Sequence, residues 1–372
     1  ALFFFSSVKL AKNLKLNSFY FYLFSLNAFV LLFGLREGTE LLALALLELS
    51  IVFILEDKWY AGFFLGLVCL TRYPLVVFFP LLLFHKNWKT RFFSALSFAG
   101  AFLPWFWYNQ IYYGNIFFSI ADSYALNVLY RDYIPHTFNW GYFFLAANIL
   151  LPLVSIGIIF FLYKKQLSRE IFLILSSLLL IVYSVYSVKA DVIRYYIPLT
   201  IPFVYFSVLS LTLFSEQRKK VISLIFILFT VASILFGFLY YTSEDYSGIL
   251  QEITGIDNCA LQSNIWVPLN YHGRVSEPNP ASYGLSSTLE KGYYVLLYYD
   301  AREPDYMHNQ SFLEGFPIVQ QNDDYILLGE GCLPIAPVDH SYLERLNRNL
   351  AENYNYTVSE DPCEILFSFS CI

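Results

Sequence analysis

Apolar residues fill the first two-thirds of the chain in long blocks, with few polar interruptions. Blocks long enough to cross a bilayer, about 20 residues, fall near 18–35, 38–55, 92–108, 141–163, 170–188, 195–214 and 221–241, behind an apolar stub at 1–8. Between the second and third lies AGFFLGLVCLTRYPLVVFFPLLLF, residues 61–84, nearly unbroken except for Arg72. Beyond residue 241 the pattern changes to short apolar runs between polar turns. Runs 265–269, 293–299, 325–328 and 365–369 read as strands, and 342–350 as a helix. The pattern predicts a mainly α, polytopic membrane domain over 1–241, then a small α/β domain over 242–372.

Composition agrees with the pattern. The chain is 57% hydrophobic, 20% aromatic and 14% charged, with a mean hydropathy of +0.52, more apolar surface than a soluble domain of this length hides. The net charge of −6 conceals a split: 1–241 hold 18 Lys/Arg and 10 Asp/Glu, while 242–372 hold 5 and 19. Four of the five cysteines (Cys259, Cys332, Cys363 and Cys371) lie in the acidic part, leaving Cys69 alone in the apolar part. An even set in a polar domain predicts disulfides in an oxidising compartment, with three connectivities open. The same part carries two sequons, Asn309-Gln310-Ser311 and Asn355-Tyr356-Thr357. The opening ALFFFSSVKLAKNLKL reads as a helix already under way, with no signal-peptide order. The chain is therefore expected to be a fragment lacking its first span.

Basic residues favour the cytoplasmic side of a membrane, and this orients the blocks. Lys9, Lys12 and Lys15 put the first loop inside, and the chain returns inside at Lys58. Were 60–84 a single span, Lys86, Lys89, Arg91, Lys164, Lys165 and Arg169 would all fall outside. A helical hairpin turning at Arg72-Tyr73-Pro74 puts every basic cluster inside, 13 of the 18 basic residues of this part. A proline after Tyr73 disfavours continued helix there, which suits a turn. The same arrangement sends residues 242–372 outside, where disulfides and glycans form.

The remaining ionisable groups then gather on the outer face: Arg36, Glu37 and Glu40, Arg72 at the hairpin tip, Asp122, Arg131 and Asp132 in the aromatic 109–140 segment, and Lys189, Asp191 and Arg194. Glu48 alone stays near mid-membrane, read as a buried, partnered or protonated carboxyl rather than a catalyst. Arginines mixed with carboxylates beside embedded helices suit chemistry on a lipid-borne phosphate. Guanidinium pairs bidentately with phosphate oxygens, and a carboxylate can take the proton of an attacking hydroxyl. Arg36 with Glu40 and Glu37 with Glu40 are spaced to share one helical face. A local ion pair between Arg36 and Glu40 is the plainer alternative. The five histidines show no metal-ligand spacing, and no Gly-rich phosphate loop, CxxC or nucleophile elbow is present. No basic patch marks a nucleic-acid partner.

Three passages resemble the polytopic GT-C glycosyltransferases of the protein O-mannosyltransferase and aminoarabinose-transferase type. They are REGTELLAL (36–44) with AGFFLGLVCLTRYPLVVFFP (61–80), FLPWFWYNQIYYGNIFFS (102–119), where Ile116 replaces the usual proline, and RYYIPLTIP (194–202). The resemblance implies a GT-C-like helical bundle with a re-entrant-type hairpin and an exoplasmic C-terminal domain. It implies a polyprenyl- or dolichyl-phosphate-linked sugar as donor and a protein or lipid hydroxyl as acceptor, with inversion at the anomeric carbon and membrane lipid as the surroundings. By position, Glu40 matches the family's acidic residue near the active site, with Glu37 as fallback. Arg72 matches the basic residue of the hairpin tip and Arg194 the arginine near the lipid phosphate, with Lys189 and Arg36 as further donor-phosphate candidates. No cofactor is specified, and a divalent cation is left open. The family's catalytic Asp lies in a loop upstream of residue 1, so the chain as given is expected to be inactive. Two other readings stay open: a transporter or flippase of lipid-linked sugars, and a non-catalytic membrane-anchored surface protein.

Overall fold

Several helices in the first part of the chain are apolar on every side, and their ends are set by a few polar or special backbone positions. The computed structural model describes residues 1–34, 39–124, 140–164, 168–187, 193–240, 249, 253–280, 282–299 and 305–335. It is mainly helical with one small mixed sheet, and it divides into two compact units between Tyr241 and Thr242.

In the helical unit, α1 (Leu2–Asn13) and α2 (Ser18–Ser25) are joined by a tight turn. Lys15 takes a left-handed conformation (φ 58°), so the Lys15 and Leu16 amides reach back to the Lys12 and Ala11 carbonyls at 3.1 and 2.9 Å. Asn17 then caps α2, its Oδ1 accepting from the Phe19 and Tyr20 amides at 3.0 and 3.3 Å. A π-helical turn, Val30–Gly34, follows. Helix α3 (Glu40–Leu55) is apolar on every side and buried along nearly its whole length, as a helix without a polar face must be. Its one interior charge, Glu48, is 1% exposed and meets the hydroxyls of Ser6 at 2.5 Å and Ser7 at 2.8 Å, tying α1 to α3. The helix ends as α1 does, with Asp57 left-handed (φ 56°) and the Lys58 amide bonded to the Phe53 carbonyl at 2.8 Å.

The apolar run around Arg72 folds back on itself. Helix α4 (Ala61–Thr71) stops at Arg72, whose backbone is extended (φ −151°, ψ 98°), and a 3₁₀ helix, Tyr73–Phe84, returns. The two ends of the run meet: the Lys86 amide and Asn87 Nδ2 donate to the Asp57 carboxylate at 2.8 and 2.9 Å. Pro74 lies in the first turn, where its missing amide proton costs nothing, and Pro80 leaves one bond inside the helix unmade. Helix α5 (Trp88–Ala101) then runs alongside α4 in the same direction, Gly62 lying against Ser94 and Gly66 against Phe98 and Ala101. A Cβ on Gly62 would collide with the Ser94 carbonyl.

The rest of the unit comprises α6 (Leu103–Tyr113), α7 (Phe118–Tyr124), α8 (Trp140–Ala147), α9 (Leu151–Lys164), α10 (Arg169–Ser187), a 3₁₀ helix Ile193–Leu199, α11 (Thr200–Leu211) and α12 (Glu216–Tyr240). Arg169 bolts the start of α10 to two other element ends, donating to the carbonyls of Phe84 at 2.8 Å, Leu55 at 3.3 Å and Ile54 at 2.7 Å. Two helical stretches, Trp140–Lys164 and Glu216–Gly237, are long and apolar enough to cross a membrane. Several other blocks are broken: 18–35 between α2 and the π turn, 92–108 at Phe102 before Pro104, and 195–214 by its 3₁₀ start.

In the second unit, β1 (Leu261–Ser263), α13 (Trp266–Tyr271), β2 (Glu277–Pro278), α14 (Leu285–Glu290), β3 (Tyr294–Tyr298), α15 (Gln310–Leu313), β4 (Ile318–Gln321) and β5 (Tyr325–Leu328) follow in order. The sheet runs β2-β1-β3-β5-β4, parallel across β2, β1 and β3 and antiparallel onward. Central β3 is covered on both faces. Val295 and Leu297 pack with Leu285, Leu289 and Leu313, and Leu296 packs with Ile265 and Leu269, the two-residue period of a strand. Strands expected at 293–299 and 325–328 are present as β3 and β5. The strand expected at 265–269 is instead the start of α13, with Pro268 in the first turn, where its missing amide costs nothing. Cys259 and Cys332 form a disulfide across 73 residues. Beside it Arg274 donates to the carbonyls of Ile256, Asp257 and Cys259 at 2.8–2.9 Å. Cys69 is free and buried. The predicted helix 342–350, the predicted strand 365–369, Cys363, Cys371 and Asn355 lie outside the described residues.

Candidate functional site

Glu40 is the first residue of α3, Arg72 follows the last residue of α4, and Arg194 stands near the start of the Ile193–Leu199 helix. Distant in sequence, the three line one small cleft together with Leu44, Leu75, Tyr195 and Pro198, with about 20 Å³ of room at the scale of a water molecule. Glu40 and Arg72 form an ion pair there, and Glu40 is 4% and Arg72 21% exposed. Each charge suits its helix end: a carboxylate favours the amide-rich N-terminus and a cation the carbonyl-rich C-terminus. The Thr39 hydroxyl donates to the other Glu40 oxygen at 2.8 Å, so both oxygens are engaged. The Arg194 guanidinium lies 5.9 Å from the centre of the Tyr195 ring. The Ser184 hydroxyl reaches the Pro74 carbonyl at 3.4 Å, holding the hairpin tip to α10.

Among the described residues that line it, the cleft brings two guanidinium groups and one carboxylate together. Its walls are largely apolar (Ala43, Leu44, Leu47, Leu75, Ile197), so electrostatic interactions inside it are stronger than in water. The chemistry on offer is oxyanion binding by arginine. Of the other sequence candidates, Arg36, Glu37 and Lys189 lie outside the described residues, as do Arg131, Asp132 and Asp191. Asp122, on α7, is buried at 7% exposure and within electrostatic reach of Tyr73. No group of three or more His, Cys, Asp or Glu that would hold a metal occurs among the described residues.

No family model, curated protein or solved structure matches the chain. Residues 61–80 lie in the hairpin, 102–119 in and between α6 and α7, and 194–202 in the 3₁₀ helix leading into α11.

A second polar constellation, which no sequence motif foretold, lies at the opposite end of the hairpin. Asp57 Oδ1 lies 3.3 Å from His85 Nδ1, and His85 Nε2 lies 3.2 Å from Ser94 Oγ. The order Asp-His-Ser is that of a nucleophilic relay, but Ser94 is fully buried and its oxygen accepts the Gly62 amide at 2.9 Å. A nucleophile must reach substrate, and this one is closed in by packed helices. The trio is a clasp between the two ends of the hairpin and α5. Burial lowers the His85 imidazole below its ordinary range; Asp57 opposes this, while Arg169 and Arg91 add to it. For Asp57, burial pushes upward, but the Lys86 amide, His85 and Asn87 outweigh it and hold the carboxyl below its usual range.

Proposed function

We propose that this chain belongs to a membrane glycosyltransferase that moves a sugar from a polyprenyl- or dolichyl-phosphate donor to a protein or lipid hydroxyl. The observation that carries the reading is the convergence of Glu40, Arg72 and Arg194 on one cleft. In the proposed step the acceptor oxygen bonds the anomeric carbon with inversion as the bond from that carbon to the phosphate oxygen breaks. The acceptor proton passes to a base, and the lipid phosphate leaves. Arg72 and Arg194 hold the phosphate and stabilise its charge as it departs. Glu40, already engaged by Arg72, serves as a positioning residue that aims the guanidinium. Arg36 and Lys189 are further candidates for the phosphate and Glu37 for the carboxylate role.

A multispan membrane setting is part of the proposal. It is supported by exposed apolar surface on α5, α6, α9, α10 and α12, including Leu96, Trp107, Ile159, Leu179 and Phe236, each more than half exposed. Apolar surface on this scale marks contact with lipid or another protein. An outside location for the second unit is supported by its disulfide.

The test is transfer from a panel of polyprenyl-phosphate sugars, mannose and aminoarabinose included, by the protein reconstituted in liposomes with its complete N-terminal sequence. Arg194→Ala and Arg72→Lys should each lower transfer at least about 100-fold, in line with loss of a group that stabilises transition-state charge, without changing the amount inserted. Unchanged transfer in both variants, or no transfer by the parent protein from any donor of the panel, overturns the reading.

A further inference from the structure

One sequon of the second unit lies among the described residues, and its geometry is that of an acceptor. We propose that Asn309 carries an N-linked glycan. His308, Asn309, Gln310 and Ser311 are consecutively exposed, on the turn between a 3₁₀ helix, Asp305–His308, and α15. The Asn309 carbonyl oxygen is occupied: it accepts the Phe312 amide at 3.2 Å and the Ser311 hydroxyl at 2.8 Å. Those bonds fix the side chain with Nδ2 as its remaining end, and Nδ2 bonds no protein group among the described residues. The hydroxyl that the acceptor motif demands at its third position therefore already touches the amide it serves.

Attachment at Nδ2 leaves the Asn309 carbonyl oxygen in place, so the cap of α15 survives modification. The exposed neighbours leave room for a bulky, solvated group, as glycans on surface turns require. In the step, Nδ2 of Asn309 bonds the anomeric carbon of a lipid-phosphate-linked saccharide. The bond from that carbon to the phosphate oxygen breaks, the Nδ2 proton passes to a base of the transferring enzyme, and the lipid phosphate departs. The inference rests on the reading that places the second unit outside the membrane, which the Cys259–Cys332 disulfide supports independently of any site chemistry.

The experiment expresses the full chain in cells that N-glycosylate secreted proteins and reads occupancy by glycopeptide mass spectrometry and by the mass shift on peptide-N-glycosidase treatment. Asn309 should be occupied in the parent and in Ser311→Thr, and empty in Ser311→Ala and Asn309→Gln. A second variant, Asp324→Ser, completes a sequon at exposed Asn322 in the same unit and reports where that unit lies. Asn322 occupied with Asn309 empty overturns the site while leaving the orientation intact. Both empty overturns the orientation and the proposal with it. The first outcome leaves the transferase reading untouched, and its phosphate chemistry is tested separately by the Arg194 and Arg72 variants.

Discussion

A guanidinium beside apolar helices needs a counter-charge, and Glu40 provides one for Arg72 with both partners at favourable helix ends. Removing one member of such a pair leaves the other uncompensated, whereas removing both together is often near neutral. We expect Glu40→Ala to destabilise the protein by about 3 kcal/mol, at the lower end of the usual range because Arg72 keeps some contact with solvent. Glu40→Leu combined with Arg72→Leu should recover most of that loss in a denaturant titration in detergent. A double variant as unstable as Glu40→Ala would show that the pair acts through packing alone. The same double variant separates stability from chemistry, since it should fold yet transfer no sugar. Arg72 and Glu40 were legible in the sequence because a charge inside or opening an apolar run is conspicuous. Asp57, His85 and Ser94 were not, because a histidine flanking a lysine cluster looks like an ordinary loop residue. Only the return of the chain brings His85 to Asp57.

At the level of elements, short-range devices close the hairpin in addition to the apolar residues that both of its arms bury, Leu65, Val68, Leu75 and Phe78 among them. Its feet are clasped by Asp57, His85 and Ser94, Arg169 ties its last carbonyl to the end of α3, and Gly62 lets α5 approach α4 at backbone contact. The hairpin itself could be foreseen from charge placement and Pro74. The turns that end α1 and α3 could not, because the left-handed positions normally taken by glycine are held by Lys15 and Asp57. By contrast, Gly292 after α14 takes the same role with φ 88° and marks its turn openly. The clasp also makes a pH prediction. Folding holds the His85 pKa below the ordinary 6.5, so the unfolded chain binds the proton more readily. The stability His85 contributes is complete above about pH 6.5 and falls as pH drops below it. The Asp57 contribution is lost in the same direction but only below about 3.8, its own ordinary value. The melting temperature should therefore decline between pH 7 and pH 5, and His85→Gln should flatten that decline while lowering the plateau. A decline of equal slope in His85→Gln would assign it to other groups.

On the scale of the whole molecule, the division of charge along the chain and the folding-back of residues 60–84 make one argument. Sequence alone could sort basic from acidic segments, but the sense of each helix required contacts. Glu40, Arg72 and Arg194 meet at one end of the helical unit. Glu56 with Lys9, Asp57 with His85, and Arg169 with the Ile54 carbonyl lie at the opposite ends of α3 and the hairpin. The end away from the cleft is thus the lysine-rich one, with Lys12, Lys58, Lys86 and Lys89 nearby in the chain. If the orientation rule for basic loops holds, the cleft opens outside and the clasp faces the cytoplasm. Single cysteines at the exposed positions Thr39, Lys12 and Lys86, introduced with Cys69 replaced by Ala and the disulfide-forming cysteines kept oxidised, test this directly. A membrane-impermeant maleimide applied to intact cells should label Thr39→Cys, whereas Lys12→Cys and Lys86→Cys should react only after permeabilisation. Labelling of the latter two alone in intact cells would invert the whole assignment and bring the phosphate-binding proposal to the cytoplasmic side. Labelling of Lys86→Cys without Lys12→Cys would contradict the hairpin itself, because Asp57 and the Lys86 amide are 2.8 Å apart and cannot face opposite sides of a bilayer about 30 Å thick.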